Sequence, residues 1–109
     1  MPFPPRRSKY GAVRVKIDNI WFGSGQEGRQ YVILKVLHLA GEITTLIIHP
    51  RFELIPKPHR IVYEADFDVI WKDGTRQIQD VKGYPTPEFR LKEKLFRWRY
   101  PELDLRILT

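Results

Sequence analysis

The sequence predicts an α+β fold in a single domain, on three observations. Two segments of helical length each begin at capping residues. Extended segments with apolar side chains at alternate positions lie between and after them. The 109 residues are enough for one domain with its own core. We therefore predict a flexible basic arm over residues 1–10, where three prolines disfavour regular structure, and one domain over residues 11–109.

The first part of the domain predicts a β-hairpin followed by a helix. Residues 12–22 alternate apolar and polar side chains around a short polar turn, as two paired strands do. Ser24 and Glu27 have the spacing of a capping box, and Gly41 is a typical helix stop. The first helix is therefore expected to end at Ala40. Because it is apolar almost all round, we expect it to be largely buried.

Extended segments follow this helix. Residues 43–55 are rich in β-branched side chains, and Pro50 makes them either one bent strand or two short ones. Residues 60–71 predict the clearest strand, with apolar side chains on one face and three acidic side chains on the other. A turn over residues 72–74 leads into a return strand over residues 75–82.

The end of the chain predicts a second helix and a last strand. Thr86 is a suitable N-cap, Pro87 suits the first helical position, and the helix is expected to run to about Arg99. Residues 103–108 then form a final strand. One face of the helix is apolar and is expected to pack on the sheet: Leu91, Leu95 and Trp98.

Charge and composition narrow the classes of function. Lys and Arg exceed Asp and Glu by 19 to 13, and the pI near 9.8 suits a polyanionic partner such as nucleic acid, although a solvated basic surface is the alternative. The absence of cysteine excludes disulfides and thiolate metal sites. The spacing of His38, His49 and His59 is not that of a zinc site. With no signal peptide and no apolar stretch long enough to span a bilayer, we expect a soluble, intracellular protein.

Two acids and a lysine form the main candidate site, on condition that the hairpin has one particular register. With a two-residue loop, Asp66 and Asp80 lie on opposite faces. With a three-residue loop and Gly74 as a left-handed bulge, Asp66 is opposite Asp80 and Glu64 is opposite Lys82. We adopt the bulged register, because glycine suits that position and because it alone brings the two acids together.

Converging carboxylates repel each other unless a cation or a proton lies between them. Hard oxygen ligands select Mg²⁺ or Mn²⁺, and Lys82 would then orient the attacking water or stabilise the transition state. The alternative is an exposed hairpin whose solvent face carries these residues, with Glu64 and Lys82 as an ordinary cross-strand pair.

Glu27 is the candidate for a third acid of the site. It stands at the start of the first helix, on the same face as Tyr31 and Leu34, and is expected to point toward the sheet. Its alternative role is that of a helix cap only. Glu53 and Glu64 are the substitutes if Glu27 is not a ligand.

These motifs, in this order, resemble the PD-(D/E)xK nuclease superfamily. More narrowly, the chain resembles a small phage and prophage endonuclease family, catalogued as a domain of unknown function and similar to Holliday junction resolvases. The resemblance covers roughly residues 8–108. Its carriers are residues 8–11, 22–24, 41–43, 50–54, 63–67 and 80–83, together with Glu27, Tyr31, Thr86 and the lysine-rich second helix.

The resemblance implies a restriction-endonuclease-like αβββαβ core with an extra N-terminal β-hairpin. It implies Mg²⁺- or Mn²⁺-dependent hydrolysis of DNA phosphodiester bonds that leaves a 5′-phosphate and a 3′-hydroxyl. The implied catalytic residues are Glu27, Asp66, Asp80 and Lys82, and the three acids among them are the implied metal ligands. The superfamily often has Glu where this chain has Asp80, an allowed variant.

The expected activity is that of an endonuclease on branched or other structured DNA in phage recombination or replication. A resolvase must cut two strands symmetrically, so this version predicts a homodimer in the bacterial cytoplasm. The residues expected to bind DNA are Arg90, Lys92, Lys94 and Arg97 of the second helix and Arg6, Arg7 and Lys9 of the arm. The alternatives are a non-catalytic nucleic-acid-binding module with a degenerate nuclease fold and a small RNA-binding accessory protein.

Overall fold

The structure, a computed structural model, describes residues 13–109 and has a mixed α+β architecture. The expected basic arm, with Arg6, Arg7 and Lys9, lies outside the described residues. The elements in chain order are β1 (Val15–Ile17), β2 (Ile20–Phe22), α1 (Gly25–Leu39), β3 (Ile43–Ile48), β4 (Arg51–Ile55), β5 (Ile61–Glu64), β6 (Phe67–Trp71), β7 (Arg76–Val81), α2 (Pro87–Arg99) and β8 (Asp104–Leu108). Both helices begin at the predicted caps, since Ser24 Oγ accepts from Glu27 N–H and Thr86 Oγ1 accepts from Phe89 N–H.

A four-stranded mixed sheet organises the domain. Its strand order is β3-β6-β7-β8, and β6 runs antiparallel to both β3 and β7. The connection through α2 brings β8 back parallel to β7. The β1-β2 and β4-β5 hairpins form separate two-stranded sheets.

Each face of this sheet carries a hydrophobic core. The core on the α1 side consists of Phe22, Tyr31, Leu34, Ile43, Phe67, Val69 and Val81. The core on the α2 side consists of Leu54, Tyr63, Ala65, Ile78, Phe89, Phe96 and Leu105. Because both faces are covered, β7 carries apolar residues on both, and its hydrophobic pattern therefore could not decide the register.

The register that the candidate site requires is confirmed. Phe67 is paired with Gln79 and Ile70 with Arg76, so one step further along the ladder Asp66 stands opposite Asp80. The loop between β6 and β7 has three residues and closes where Trp71 N–H donates to Thr75 O at 2.8 Å. Gly74 has a φ of +89°, the left-handed conformation that a side chain disfavours.

The prediction of one continuous strand over residues 60–71 was wrong. The chain breaks at Ala65 and Asp66, where β5 ends its pairing with β4 and β6 begins its pairing with β3 and β7. Residues 43–55, which cross this segment, break as well, between β3 and β4. Of the two alternatives predicted for them, two short strands is therefore correct. Alternation along the sequence does not reveal the break, because apolar residues recur at every second position through it. The prediction that they share one face was wrong, since Tyr63 and Ala65 lie in the core on the α2 side and Phe67 and Val69 in the core on the α1 side.

Both predictions of helix burial needed correction. The first helix is not buried all round: Val36 is 59% exposed and Leu39 is 78% exposed, because the sheet and the β1-β2 hairpin cover only one side of α1. On α2, Leu91 and Trp98 are exposed and only Leu95 is partly buried. Two larger apolar side chains, Phe89 and Phe96, occupy the face toward the sheet instead. Within the described residues, no helix is long and apolar enough to cross a membrane.

Candidate active site

The four residues predicted for the site come together where the two strand breaks cross. Glu27 lies in the first turn of α1, Asp66 between β5 and β6, Asp80 in β7 and Lys82 directly after β7. The charges of Asp66 and Asp80 act on each other, and the charge of Glu27 acts on Asp66. Lys82 Nζ lies 3.4 Å from Asp80 Oδ1. The site therefore joins two layers of the domain, because its acids come from a helix and from the sheet.

Asp66 is positioned by the edge of the sheet. Its Oδ2 accepts a hydrogen bond from Val81 N–H at 2.7 Å, and its backbone N–H donates to Gln79 O at 3.1 Å. Burial raises the pKa of Asp66 to about 6, and the charge of Glu27 adds to this effect. The side chain is thus held firmly in a place that disfavours its ionised form.

Asp80 is the most deeply buried acid of the site. Its side chain is fully buried, and its Oδ2 accepts a hydrogen bond from the hydroxyl of Tyr63. Among the described residues, Asp80 Oδ1 has no hydrogen-bond partner, since Lys82 Nζ is close enough for an ion pair only. Burial raises the pKa of Asp80 to about 7, with Asp66 as the second cause. This burial contradicts the alternative of a solvent-exposed hairpin face.

Glu27 helps to cap α1 and also contacts His49. Its Oε2 accepts from Gly23 N–H at 3.0 Å and so helps to cap α1. Its Oε1 lies 3.1 Å from His49 Nε2. One oxygen therefore belongs to the helix start, and the other faces the cluster.

His49 belongs to the site and was missed by sequence reasoning. Glu27, His49 and Asp66 each present one potential ligand atom, and these atoms all lie within 4.8 Å of one another. The sequence signal is weak: His49 precedes Pro50 at the break of a β-branched segment, and its spacing from the other two histidines is not that of a zinc site. The backbone of His49 has a φ of 55°, which the sequence does not reveal.

Lys82 connects the buried acids with an open cleft. Its Nζ lies 4.8 Å from the centre of the Phe89 ring, and about a third of its side chain is exposed. The cleft has a volume of about 410 Å³. Polar side chains dominate its lining: Arg51, Glu64, Lys82, Thr86, Glu88 and Lys92. Lys82 pairs with Asp80, and the alternative of an ordinary Glu64–Lys82 pair across two strands is wrong, because β5 ends at Glu64.

The four α2 residues predicted to bind DNA differ in position. Lys92 lines the cleft and lies 3.4 Å from Glu88. Arg90 and Lys94 are exposed, and so is Arg97, whose guanidinium pairs with Glu93 at 2.9 Å. Only Lys92 of this set lines the same cleft as Lys82.

The arrangement suits a hard divalent cation. Glu27, His49 and Asp66 bring potential ligand atoms within 4.8 Å of one another, and Asp80 neighbours Asp66. Asp66 and Asp80 both have a raised pKa, and one oxygen of the buried Asp80 has no hydrogen-bond partner within residues 13–109. A cation between Glu27, Asp66 and Asp80 would relieve the repulsion and favour their ionised forms. The donor set therefore fits a divalent metal, with Lys82 as a second positive charge on the cleft side.

Comparison with known proteins places the chain in a family but assigns no activity. Residues 7–109 match the family described as "Protein of unknown function (DUF1064)", and the chain belongs to that family. No curated protein and no solved structure matches the chain.

Proposed function

We propose that the protein is a metal-dependent DNA endonuclease of the PD-(D/E)xK type that uses Mg²⁺ or Mn²⁺. The observation that carries this proposal is that Asp66 neighbours both Glu27 and the buried Asp80, with Lys82 Nζ 3.4 Å from Asp80 Oδ1. Buried carboxylates with raised pKa values in a cleft are typical of a functional site.

The order of the elements supports the same proposal. Without its hairpins, the chain runs α1, β3, β6, β7, α2, β8, which is the αβββαβ order implied by the resemblance. The β1-β2 hairpin precedes this core, and β4 and β5 extend β3 and β6 beyond the two breaks. Of the proposed catalytic acids, Asp66 lies at one of those breaks, and Asp80 stands opposite it in β7.

Each residue has a role that its position supports. Glu27, Asp66 and Asp80 would hold the cation, which when bound supplies an activated water and neutralises charge on the phosphate. Tyr63 orients Asp80 through its hydrogen bond, and Val81 N–H orients Asp66. Lys82 carries its charge toward the cleft, where it can orient the attacking water and stabilise negative charge on the reacting phosphate.

The charge of the protein supports a nucleic-acid substrate. The net charge is +6, and the cleft beside the acids presents Arg51 and Lys92 as well as Lys82. The exposed Arg90, Lys94 and Arg97 of α2 extend this basic surface. The resemblance favours branched or structured DNA in phage recombination or replication as the substrate, as for a Holliday junction resolvase. It favours the bacterial cytoplasm as the place of action.

The experiment is a cleavage assay with labelled four-way junction, flap, duplex and single-stranded DNA in the presence of Mg²⁺, Mn²⁺ or EDTA. We expect divalent-dependent cleavage that Lys82→Ala reduces about 100- to 1,000-fold while DNA binding is retained. The matched control is Lys72→Ala, because Lys72 is an exposed lysine that pairs with Glu42 far from the acids.

Three outcomes would change the proposal. Equal cleavage by wild type and Lys82→Ala would remove Lys82 from the mechanism. Loss of cleavage in the Lys72→Ala control would mean that the effect of Lys82→Ala is not specific to the site. DNA binding without cleavage of any substrate would favour the non-catalytic nucleic-acid-binding module.

A further inference from the structure

We propose that His49 is a ligand of the cation held by Glu27 and Asp66, and that the site therefore prefers Mn²⁺ to Mg²⁺. This inference rests on the proposed cation site but not on DNA cleavage. Potential ligand atoms of the three residues lie within 4.8 Å of one another, close to the spacing of donors around a single ion. His49 Nε2 is the nitrogen that faces Glu27, at 3.1 Å from Oε1.

The backbone around His49 supports a positioned side chain. Its N–H donates to Asp66 O at 2.9 Å, so the imidazole is attached beside the acid with which it would share the ion. The φ of 55° is uncommon outside glycine, and such a conformation persists where neighbouring structure maintains it. The ring centre lies 5.6 Å from that of Phe22, which limits the orientations of the imidazole.

A simple hydrogen bond between His49 and Glu27 is the competing explanation of this contact. That explanation accounts for one oxygen of Glu27 only. It does not account for Asp66, whose potential ligand atom lies within 4.8 Å of those of Glu27 and His49. An ion held by the three residues would account for this arrangement and would offset the repulsion between the carboxylates of Glu27 and Asp66.

The preference for Mn²⁺ follows from the donor set. Mg²⁺ binds almost solely to oxygen, whereas Mn²⁺ also accepts imidazole and binds mixed nitrogen and oxygen sites more tightly. We expect Mn²⁺ to bind wild type about 10-fold or more tightly than Mg²⁺. His49→Asn should weaken Mn²⁺ binding about 10- to 100-fold and change Mg²⁺ binding less than about 3-fold.

The decisive measurement is electron spin echo envelope modulation of bound Mn²⁺, because it detects directly coordinated nitrogen without any assay of activity. Wild type, His49→Asn and the control His59→Asn are compared, each with natural and ¹⁵N-labelled histidine. His59 is the matched control because it is exposed in the loop between β4 and β5. We expect histidine nitrogen modulation in wild type and in His59→Asn, and its loss in His49→Asn.

The inference is overturned if Mn²⁺ binds without nitrogen modulation, if His49→Asn keeps the modulation, or if calorimetry detects no Mn²⁺ binding. The nuclease proposal fails separately. Divalent-dependent cleavage without histidine coordination would leave it standing with an all-oxygen site. Histidine coordination of Mn²⁺ without cleavage of any DNA would remove the nuclease and keep the metal site.

A second inference rests on the exposed apolar face of α1. Its members Val32, Ile33, Val36 and Leu39 are between 44% and 78% exposed. Beside the first half of the helix is a groove of about 530 Å³, lined mainly by apolar atoms of β1 and α1, among them Val15, Ile17, Gly28, Val32 and Ile33. The second half carries the most exposed side chains, Val36 and Leu39.

We infer that this face binds a second copy of the chain through antiparallel packing of two α1 helices. A two-fold interface must be self-complementary, and this face has a groove at one end and projecting side chains at the other. Antiparallel packing places Val36 and Leu39 of each copy at the groove of the other. It also places Arg29 near the C-terminal end of the second helix, where the helix dipole favours a cation.

The size of the face agrees with a dimer. The four exposed side chains would supply part of the roughly 800 Å² that each partner contributes to a standard interface. The adjoining β1-β2 hairpin can supply much of the rest. Exposed apolar patches of this size on a soluble domain are often functional.

The test is analytical ultracentrifugation of wild type, Val36→Asp and Leu91→Asp. Leu91 is a matched control, since it is 58% exposed on the other helix. We expect wild type to dimerise below about 10 µM, Val36→Asp to raise the dimer dissociation constant about 100-fold, and Leu91→Asp to behave as wild type. Circular dichroism checks that each variant is folded. The inference is overturned if wild type is monomeric at about 100 µM or if Val36→Asp dimerises normally.

Discussion

Two pairs of residues on the β6-β7 hairpin each contain a buried carboxylate. In one pair an arginine neutralises it, and in the other it faces a second carboxylate. Asp68 is buried, and the guanidinium of Arg76 holds both of its oxygens, at 2.9 Å and 2.7 Å. Two residues nearer the break between β5 and β6, Asp66 and Asp80 face each other. Asp80 Oδ1 has no hydrogen-bond partner in the described part of the chain. The nearest ammonium group there, from Lys82, is 3.4 Å away.

The difference separates a structural pair from a candidate site. A bidentate arginine neutralises a buried carboxylate and stabilises the fold. Two facing acids cost folding free energy, and they stay in place because Tyr63 and Val81 hold them there. A costly arrangement that its neighbours maintain, in a cleft, is more readily explained by chemistry than by stability.

The largest expected effect comes from Asp80→Asn. We expect cleavage to fall about 1,000-fold, because the variant removes a proposed ligand, and the metal-free protein to melt several degrees higher near neutral pH, because the repulsion is gone. Single-turnover cleavage and thermal melts in EDTA measure the two effects. Loss of activity together with a lower melting temperature would contradict the comparison, since Asp80 would then be a stabilising residue.

Asp68→Asn should have the opposite pair of effects. We expect a loss of about 2 kcal/mol in the free energy of unfolding and near-normal cleavage per folded molecule. The expected loss is smaller than for a fully buried ion pair, because Arg76 is partly exposed. Urea denaturation measures the loss. Asp104→Asn is the matched control, because it breaks only the exposed pair with Arg106 and should leave the free energy of unfolding close to that of wild type. Equal losses in both variants would show that the buried Asp68–Arg76 pair stabilises the fold no more than an exposed pair does.

The pH dependence of stability should report on the facing acids. The pKa of Asp66 is raised to about 6 and that of Asp80 to about 7, from an ordinary value of 3.8. Between about pH 4 and pH 7 the unfolded chain has released protons that the folded protein still holds, so each rise in pH favours unfolding. The contribution of the pair to stability is therefore greatest at low pH and is lost by about pH 7.

Thermal melts of metal-free wild type and the double variant Asp66→Asn/Asp80→Asn across this range isolate the effect. We expect the difference in melting temperature between them to grow as pH rises. Mn²⁺ should raise the melting temperature of wild type more at about pH 7.5 than at about pH 5, because the ligands must be ionised. A difference that stays constant with pH would show that the pair does not titrate as proposed.

The smallest effect is expected for Tyr63→Phe. The hydrogen bond from Tyr63 favours the ionised form of Asp80, so its loss should raise the pKa of Asp80 further. We expect a stability loss of about 1 kcal/mol and cleavage that begins at higher pH. Tyr100→Phe is the matched control, because its hydroxyl donates to Glu53 O at 2.7 Å in the same core. A shifted pH profile in the control as well would remove the special role of Tyr63.

Much of the local structure followed from short-range signals. Ser24 and Thr86 mark the helix starts correctly, because a cap depends on bonds within four residues. The bulged loop at Gly74 follows from the conformations open to glycine. From that loop the register follows, and with it the position of Asp66 opposite Asp80.

Other features depended on contacts between distant segments. The break at Ala65 arises because β5 and β6 pair with different strands. His49 reaches Glu27 only because the segment from β3 to β4 crosses the chain there. The exposed face of α1 reflects how little of the helix the sheet and hairpin cover.

The sequence by itself determined the order of the elements, the helix starts and the register that aligns two acids, because each depends on residues close together in the chain. Only the tertiary structure decided that those acids are buried and that Glu27 and His49 join them. Burial and long-range contact depend on how α1 and α2 cover the two faces of the sheet. The same packing turns a pair of aligned carboxylates into a candidate metal site, because it removes the water that would otherwise screen their repulsion.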